Sequence, residues 1–162
     1  MLVREVRPDE YTRAGEVVVA AYAALPGEHM TGGYAAELAD VAGRSRDAEV
    51  LIAIDEEVFG CVTFVPEATS PWAEALGADE AAIRMLGVDP AAQGRGIGAV
   101  LVDACIARAR ARGRSGLFLH STPWMTSAHR LYQRAGFQRI PERDWLPVPE
   151  VPLLAFLLDL RR

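Results

Sequence analysis

The run Gln93-Gly94-Arg95-Gly96-Ile97-Gly98 constrains this chain more than any other. It lies between an apolar segment ending in Leu86-Gly87-Val88 and a stretch with helical spacing, Ile97, Val100, Leu101, Ala104, Cys105 and Arg108. Glycines at 94, 96 and 98 remove the Cβ atoms that would hold a ligand away from the main chain. The amides that follow open a helix, where the first N–H groups lack internal partners and the dipole favours an anion. A strand, a glycine turn and a helix N-terminus together form a cradle for phosphate.

Three kinds of cradle can be compared with the residues. A P-loop needs a lysine after its last glycine, and this chain has none; all 17 of its basic residues are arginine. The dinucleotide pattern G-x-G-x-x-G/A is formally met by Gly94, Gly96 and Ala99. It also needs a carboxylate ~20 residues further on to hold a ribose. After Asp103 the next carboxylate is Glu142, so a nucleotide-binding oxidoreductase is excluded. The third pattern, Q/R-x-x-G-x-G/A, is filled by Gln93, Gly96 and Gly98.

With 162 residues, 51% hydrophobic and 24% charged, the chain suits one globular domain over 1–162 with a substantial core. No apolar run is long enough for a membrane span, and Met1 to Glu5 lacks a signal-peptide apolar region. Cys61 and Cys105 fall in apolar segments and read as buried free thiols, so a cytoplasmic location is expected. A net charge of −5 argues against a nucleic-acid partner. Arg108, Arg110, Arg112 and Arg114 close the helix after the glycine turn and read as a solvated helix end.

Strands are expected at Leu2 to Arg7, Glu49 to Ile54, Val58 to Val65, Ala81 to Val88, Leu117 to Leu119 and Val151 to Leu160. Helices are expected after Pro8-Asp9-Glu10, over Tyr34 to Ala42, after the glycine turn, and from Ser121-Thr122-Pro123 to Gly136. The order β-α-α-β-β-β-α-β-α-β-β predicts an α/β fold with a mixed sheet.

Leu86-Gly87-Val88-Asp89-Pro90 through Gly98, followed by Ala128-x-x-Leu131-Tyr132-x-x-Ala135-Gly136-Phe137, resembles the GNAT superfamily of acyl-CoA-dependent N-acetyltransferases. The resemblance is specific over about residues 80 to 140 and implies a mixed, mostly antiparallel central sheet flanked by helices. It implies acetyl-CoA as cosubstrate, with the pyrophosphate over the amides of Arg95, Gly96, Ile97, Gly98 and Ala99. Gln93 and Gly94 would shape that turn, and the main chain of Leu86, Gly87 and Val88 would hold the pantetheine arm and polarise the thioester. No metal is expected.

Tyr132 falls in the slot where many relatives carry the acid that protonates the leaving thiolate, whose conjugate acid is near a pKa of about 8.5. Some histone-type relatives carry a glutamate where Ala82 stands here. Glu80, two residues earlier and on the same strand face, is the candidate base, with Glu28, His29, His120 or an ordered water as alternatives. Met125 stands where many relatives carry an asparagine that fixes the cofactor arm, and Ser121, Thr122 or Ser127 is the candidate to substitute for it. The expected acceptor is a primary amine of a small molecule or a protein N-terminus, attacked directly without an acyl-enzyme. A non-catalytic acyl-CoA sensor is the alternative. The segments Pro26 to Tyr34 and Gln138 to Pro152 would set acceptor specificity, the latter as a stiff apolar loop. Leu153 to Leu158 offers a face for a homodimer.

Overall fold

Apolar runs in the N-terminal half, buried almost continuously in the second and third, give three antiparallel neighbours: β1 (Leu2–Glu5), β2 (Glu49–Asp55) and β3 (Glu57–Val65). In this computed structural model, which describes residues 1–26 and 33–161, they begin an eight-stranded sheet. β4 (Glu80–Val88) pairs antiparallel with β3, and β5 (Gly116–Ser121) is the one strand that runs parallel to its neighbour β4. β8 (Val151–Asp159) returns antiparallel along β5. The short β6 (Gln138–Arg139) and β7 (Trp145–Val148) lie against β8. The architecture is therefore mixed and mostly antiparallel, as expected.

Helices cover both faces. On one face α1 (Tyr11–Ala23), α2 (Tyr34–Ala39) and α3 (Val41–Asp47) pack on β2, β3 and β4 through Val17, Val18, Leu38, Ile52 and Cys61. On the other, α4 (Ile97–Ala111) and α5 (Thr126–Arg134) enclose Phe64, Ile83, Leu101, Leu117 and Phe156. α4 is brought so close to β3 that a Cβ on Gly60 would stand 2.7 Å from Ile97 Cγ2.

Four local expectations change. The helix expected over Tyr34 to Ala42 is broken at Asp40, whose carboxylate accepts the Gly43 N–H at 2.9 Å and starts α3 as its N-cap. Arg44, fully buried, then clamps the end of α2 by donating to the carbonyls of Glu37 (2.6 Å) and Leu38 (2.9 Å) and to Thr63 Oγ1 (3.0 Å). Ser121-Thr122-Pro123 does not cap α5. β5 continues to Ser121, and a turn closed by Met125 N–H on Thr122 O delays the helix to Thr126. The apolar segment from Gln138 is no loop, because Trp145 and Val148 pair with Leu153 and Val151, and Pro147 sits in an edge strand that needs no N–H there. Finally, the arginines closing α4 are partly anchored, since Arg108 (3.2 Å) and Arg112 both pair with Glu49 of β2.

α1 and α2 touch at Gly15, where a Cβ would lie 2.5 Å from the Ala39 carbonyl oxygen. Gly15→Ala should therefore destabilise the protein by about 1–3 kcal/mol through overpacking, although alanine is the better helix former. Urea unfolding would show a lower midpoint; an unchanged or higher one contradicts this packing.

Candidate active site

β4 and β5 pair over only three residues, Glu80 to Ala82 against Gly116 to Phe118, and then part. On its other edge β4 carries a bulge. Arg84 opposes Thr63 and Gly87 opposes Cys61, so Met85 and Leu86 together face the single residue Val62. Met85 adopts φ +53°, a left-handed conformation that costs a β-strand methionine about 1–3 kcal/mol. Neither Met85 nor Leu86 has a ladder partner on β3 or β5. The result is a cleft in the middle of the sheet, edged by main chain.

At the β4 end of this cleft the chain enters the glycine turn. Asp89 accepts the Ala91 N–H (2.9 Å) and pairs with Arg13 of α1 (2.7 Å), fixing the exit from β4. Gly94 and Gly96 have φ +81° and +75°, conformations that glycine adopts without strain, and nothing lies within 4 Å of where a Cβ would stand. Gly96 caps α4. Gln93 Nε2 donates to Val88 O at a long 3.4 Å, and the Arg95 guanidinium lies 5.0 Å from the centre of the Phe59 ring. The predicted binding residues thus come together as one open turn leading into the cleft.

On the face carrying α1 and α2, the cleft opens into a cavity of about 570 Å³, within the usual range for a small-molecule site. Its floor is Ala82 to Met85 of β4 and Phe118 to His120 of β5. Tyr22, Tyr34 and Glu37 wall one side, and Trp145, Val148 and Leu153 of the β7–β8 hairpin wall the other. The segment whose apolar character stood out in the sequence is therefore a cavity wall.

Tyr132 lies on the opposite face of the sheet, within the core under α4 and α5, and is not among the residues lining the cavity. It is buried on α5 between Phe137 (5.6 Å) and Phe156 (6.1 Å), and burial keeps its phenol protonated well above the ordinary range. Burial also raises Tyr22 on the cavity side. Gly136, at φ +102°, ends α5 and lets the Phe137 N–H bond the Tyr132 carbonyl at 3.0 Å.

Glu80 stands elsewhere. It lies where β4 and β5 still pair, receives both Arg143 Nη groups at 2.8 and 2.9 Å, and accepts the Gly77 N–H at 2.9 Å. Burial alone would raise its carboxyl, but Arg143 and Gly77 outweigh that and hold it below the usual range. It is not among the residues lining the cavity. Glu28 and His29 lie outside the described residues. His120 does line the cavity, with Nε2 3.0 Å from the Arg143 carbonyl.

Sequence reasoning passed over two contributors, Arg143 and His129. Arg143 joins Glu80, the Ala75 carbonyl (3.0 Å), the face of Phe118 (3.9 Å to the ring centre) and, through its own carbonyl, His120. His129 Nε2 lies 2.9 Å from the Thr122 carbonyl and 3.2 Å from Ser121 Oγ; that carbonyl can only accept, so Nε2 carries the proton. Burial lowers the His129 pKa, which favours the neutral ring. Thr122 Oγ1 is buried beside the cavity without a hydrogen-bond partner among the described residues. No local signal marks Arg143 or His129, whose partners are set by the tertiary fold. Cys61 and Cys105 are buried; desolvation pushes the Cys61 thiol up to about 12 and Cys105 further still, so neither is a ready nucleophile. No helix among the described residues is long and apolar enough to cross a membrane.

Comparison with known proteins gives a family and a fold. The acetyltransferase (GNAT) family matches residues 15–137. A mycothiol acetyltransferase of Beutenbergia cavernae is 40% identical over 80 residues, covering 49% of this chain and 27% of that protein. A [ribosomal protein bS18]-alanine N-acetyltransferase of Haemophilus ducreyi is 40% identical over 73 residues, covering 44% of this chain and 50% of that protein. The chain thus matches half or less of the length of these relatives. Among solved structures, yncA from Salmonella typhimurium with its cofactor acetyl-CoA superposes with a TM-score of 0.73 at 21% identity, covering 99% of this chain and 94% of that one.

Proposed function

We propose, from the premise that this chain belongs to the acetyltransferase (GNAT) family, that it transfers an acetyl group from acetyl-CoA to a primary amine held in the cavity. The observation that carries the reading is continuity: an open glycine turn leads to a cleft edged by unpartnered main chain, which opens into a cavity on the far face. The residues fit acetyl-CoA. Gly94 and Gly96 leave space over the turn that any Cβ would enter, and the amides from Arg95 to Ala99 sit at the positive end of α4. Gln93 braces the turn, and Arg95 stands beside it for a phosphate. The main chain of Leu86, Gly87 and Val88 is assigned to the pantetheine arm. Thr122 Oγ1 is a buried hydroxyl that an amide of that arm would satisfy, in place of the side chain that Met125 cannot supply.

Acetyl-CoA supplies, when bound, a thioester whose acetyl carbon accepts the amine nitrogen while the C–S bond breaks. The chain's part is proton handling and charge stabilisation. A carbonyl can only accept, so the contact with Arg143 O places the His120 proton on Nε2 and leaves Nδ1 free to take the proton lost by nitrogen. Main-chain N–H at Met85 or Leu86 stabilises negative charge on the carbonyl oxygen. Tyr132 donates its phenolic proton to the departing sulfur, and the proton taken from nitrogen balances it through solvent. Burial raises the phenol, but a sulfur anion in the same dry surroundings becomes more basic too, so the match holds. Glu80, occupied by Arg143, acts as a positioning residue that fixes Arg143 and through it His120.

Gly96→Glu, which places bulk and charge in the open turn at φ +75°, should abolish binding of acetyl-CoA in a calorimetric titration. Wild-type affinity in that variant overturns the cradle assignment.

Tyr132→Phe and His120→Ala should each lower kcat by about 100-fold with acetyl-CoA affinity unchanged, and His120→Ala should recover in part at higher pH, where solution amine is neutral. Unchanged turnover removes the residue from its role. Tight acetyl-CoA binding with no turnover by the wild type returns the sensor alternative.

A further inference from the structure

We infer that the acceptor is a primary amine carried on an aromatic body and lacking a carboxylate; this rests on the acetyltransferase reading above. The charges of the cavity support the cationic half of that statement. Among its described lining residues the only arginine is Arg84, and it is already engaged. Its Nη2 lies 2.7 Å from Glu74, its Nη1 donates to the Trp72 carbonyl at 3.2 Å, and its guanidinium stacks 5.7 Å from the Trp72 ring centre. Glu74 and Arg84 therefore cancel. Glu37, an exposed lining residue on α2, has no ion pair among the described residues. Among the described residues the wall is left with one uncompensated carboxylate and no free guanidinium. An ammonium is drawn in; a carboxylate on the same ligand would meet Glu37 with nothing to neutralise it.

The uncharged walls support the aromatic half. Tyr22 and Tyr34 meet edge to face at 6.0 Å and 67° on one side. Trp145, 45% exposed and 6.1 Å from the His120 ring, stands on the other. Phe118 and Trp124 complete the aromatic lining over the small floor residue Ala82. Rings of this kind bind a flat apolar body by offset or edge-on contact, and their faces also attract the ammonium it carries. An extended aliphatic polyamine would use the carboxylate but leave most of this apolar surface unfilled.

The test is a thiol-release assay with acetyl-CoA and four amines: phenethylamine, phenylalanine, putrescine and a tripeptide beginning with alanine. The expected result is a kcat/KM for phenethylamine at least about tenfold above each of the other three. Glu37→Gln should raise KM for phenethylamine and narrow its lead over phenylalanine, with KM for acetyl-CoA unmoved. Trp145→Ala should raise KM for phenethylamine and leave putrescine unchanged. Preference for putrescine or the tripeptide, or equal use of phenylalanine, overturns the inference while keeping the acetyltransferase reading. Acetyl-CoA binding with no amine acetylated overturns it as well. Absence of acetyl-CoA binding brings down the underlying reading and this inference together.

Discussion

The parting of β4 from β5 is the constraint on which the rest of the structure depends. Parallel pairing lasts three residues and ends at Ala82, and the bulge at Met85 and Leu86 follows three residues further along β4. Strain of about 1–3 kcal/mol at a left-handed methionine is tolerated because both sides of the sheet are buttressed. α1 rests on Gly87, where a Cβ would be 3.1 Å from Val18 Cα, and α4 rests on Gly60. Two glycines without bulk allow two helices to grip the sheet beside its opening.

That opening joins two faces with different chemistry. The α4 face presents backbone amides and a helix dipole, which suit an anion. The α1 and α2 face presents aromatic rings and one unpaired carboxylate among its described residues, Glu37, which suit a cation. Long-range polar contacts hold the second face in shape: Arg44 fixes the end of α2, while Arg143 ties the approach to β7 to Glu80 and Phe118. Neither arginine needs to touch a ligand to matter, because each sets the position of a wall.

Much of this was legible in the sequence, and for local reasons. Positive φ at Gly94 and Gly96, the cap at Gly136 and the strand patterns are decided by residues within one turn of themselves. What escaped was non-local. Glu80 read as a free carboxylate because its partner, Arg143, lies 63 residues away. The break at Asp40 gained its meaning from buried Arg44, and Trp145 to Val148 became a strand only because Val151 and Leu153 were there to pair with. The bulge has no sequence signal at all, since nothing about Met85-Leu86 distinguishes it from an ordinary apolar pair.

The most direct test of the central claim is a crystal structure of the chain with acetyl-CoA. The expected density places pyrophosphate over the amides of Arg95 to Ala99 and the thioester between Leu86 and β5, with the acetyl group facing the cavity. A cofactor bound away from the glycine turn, or a cleft closed by pairing between β4 and β5 along its whole length, would contradict it.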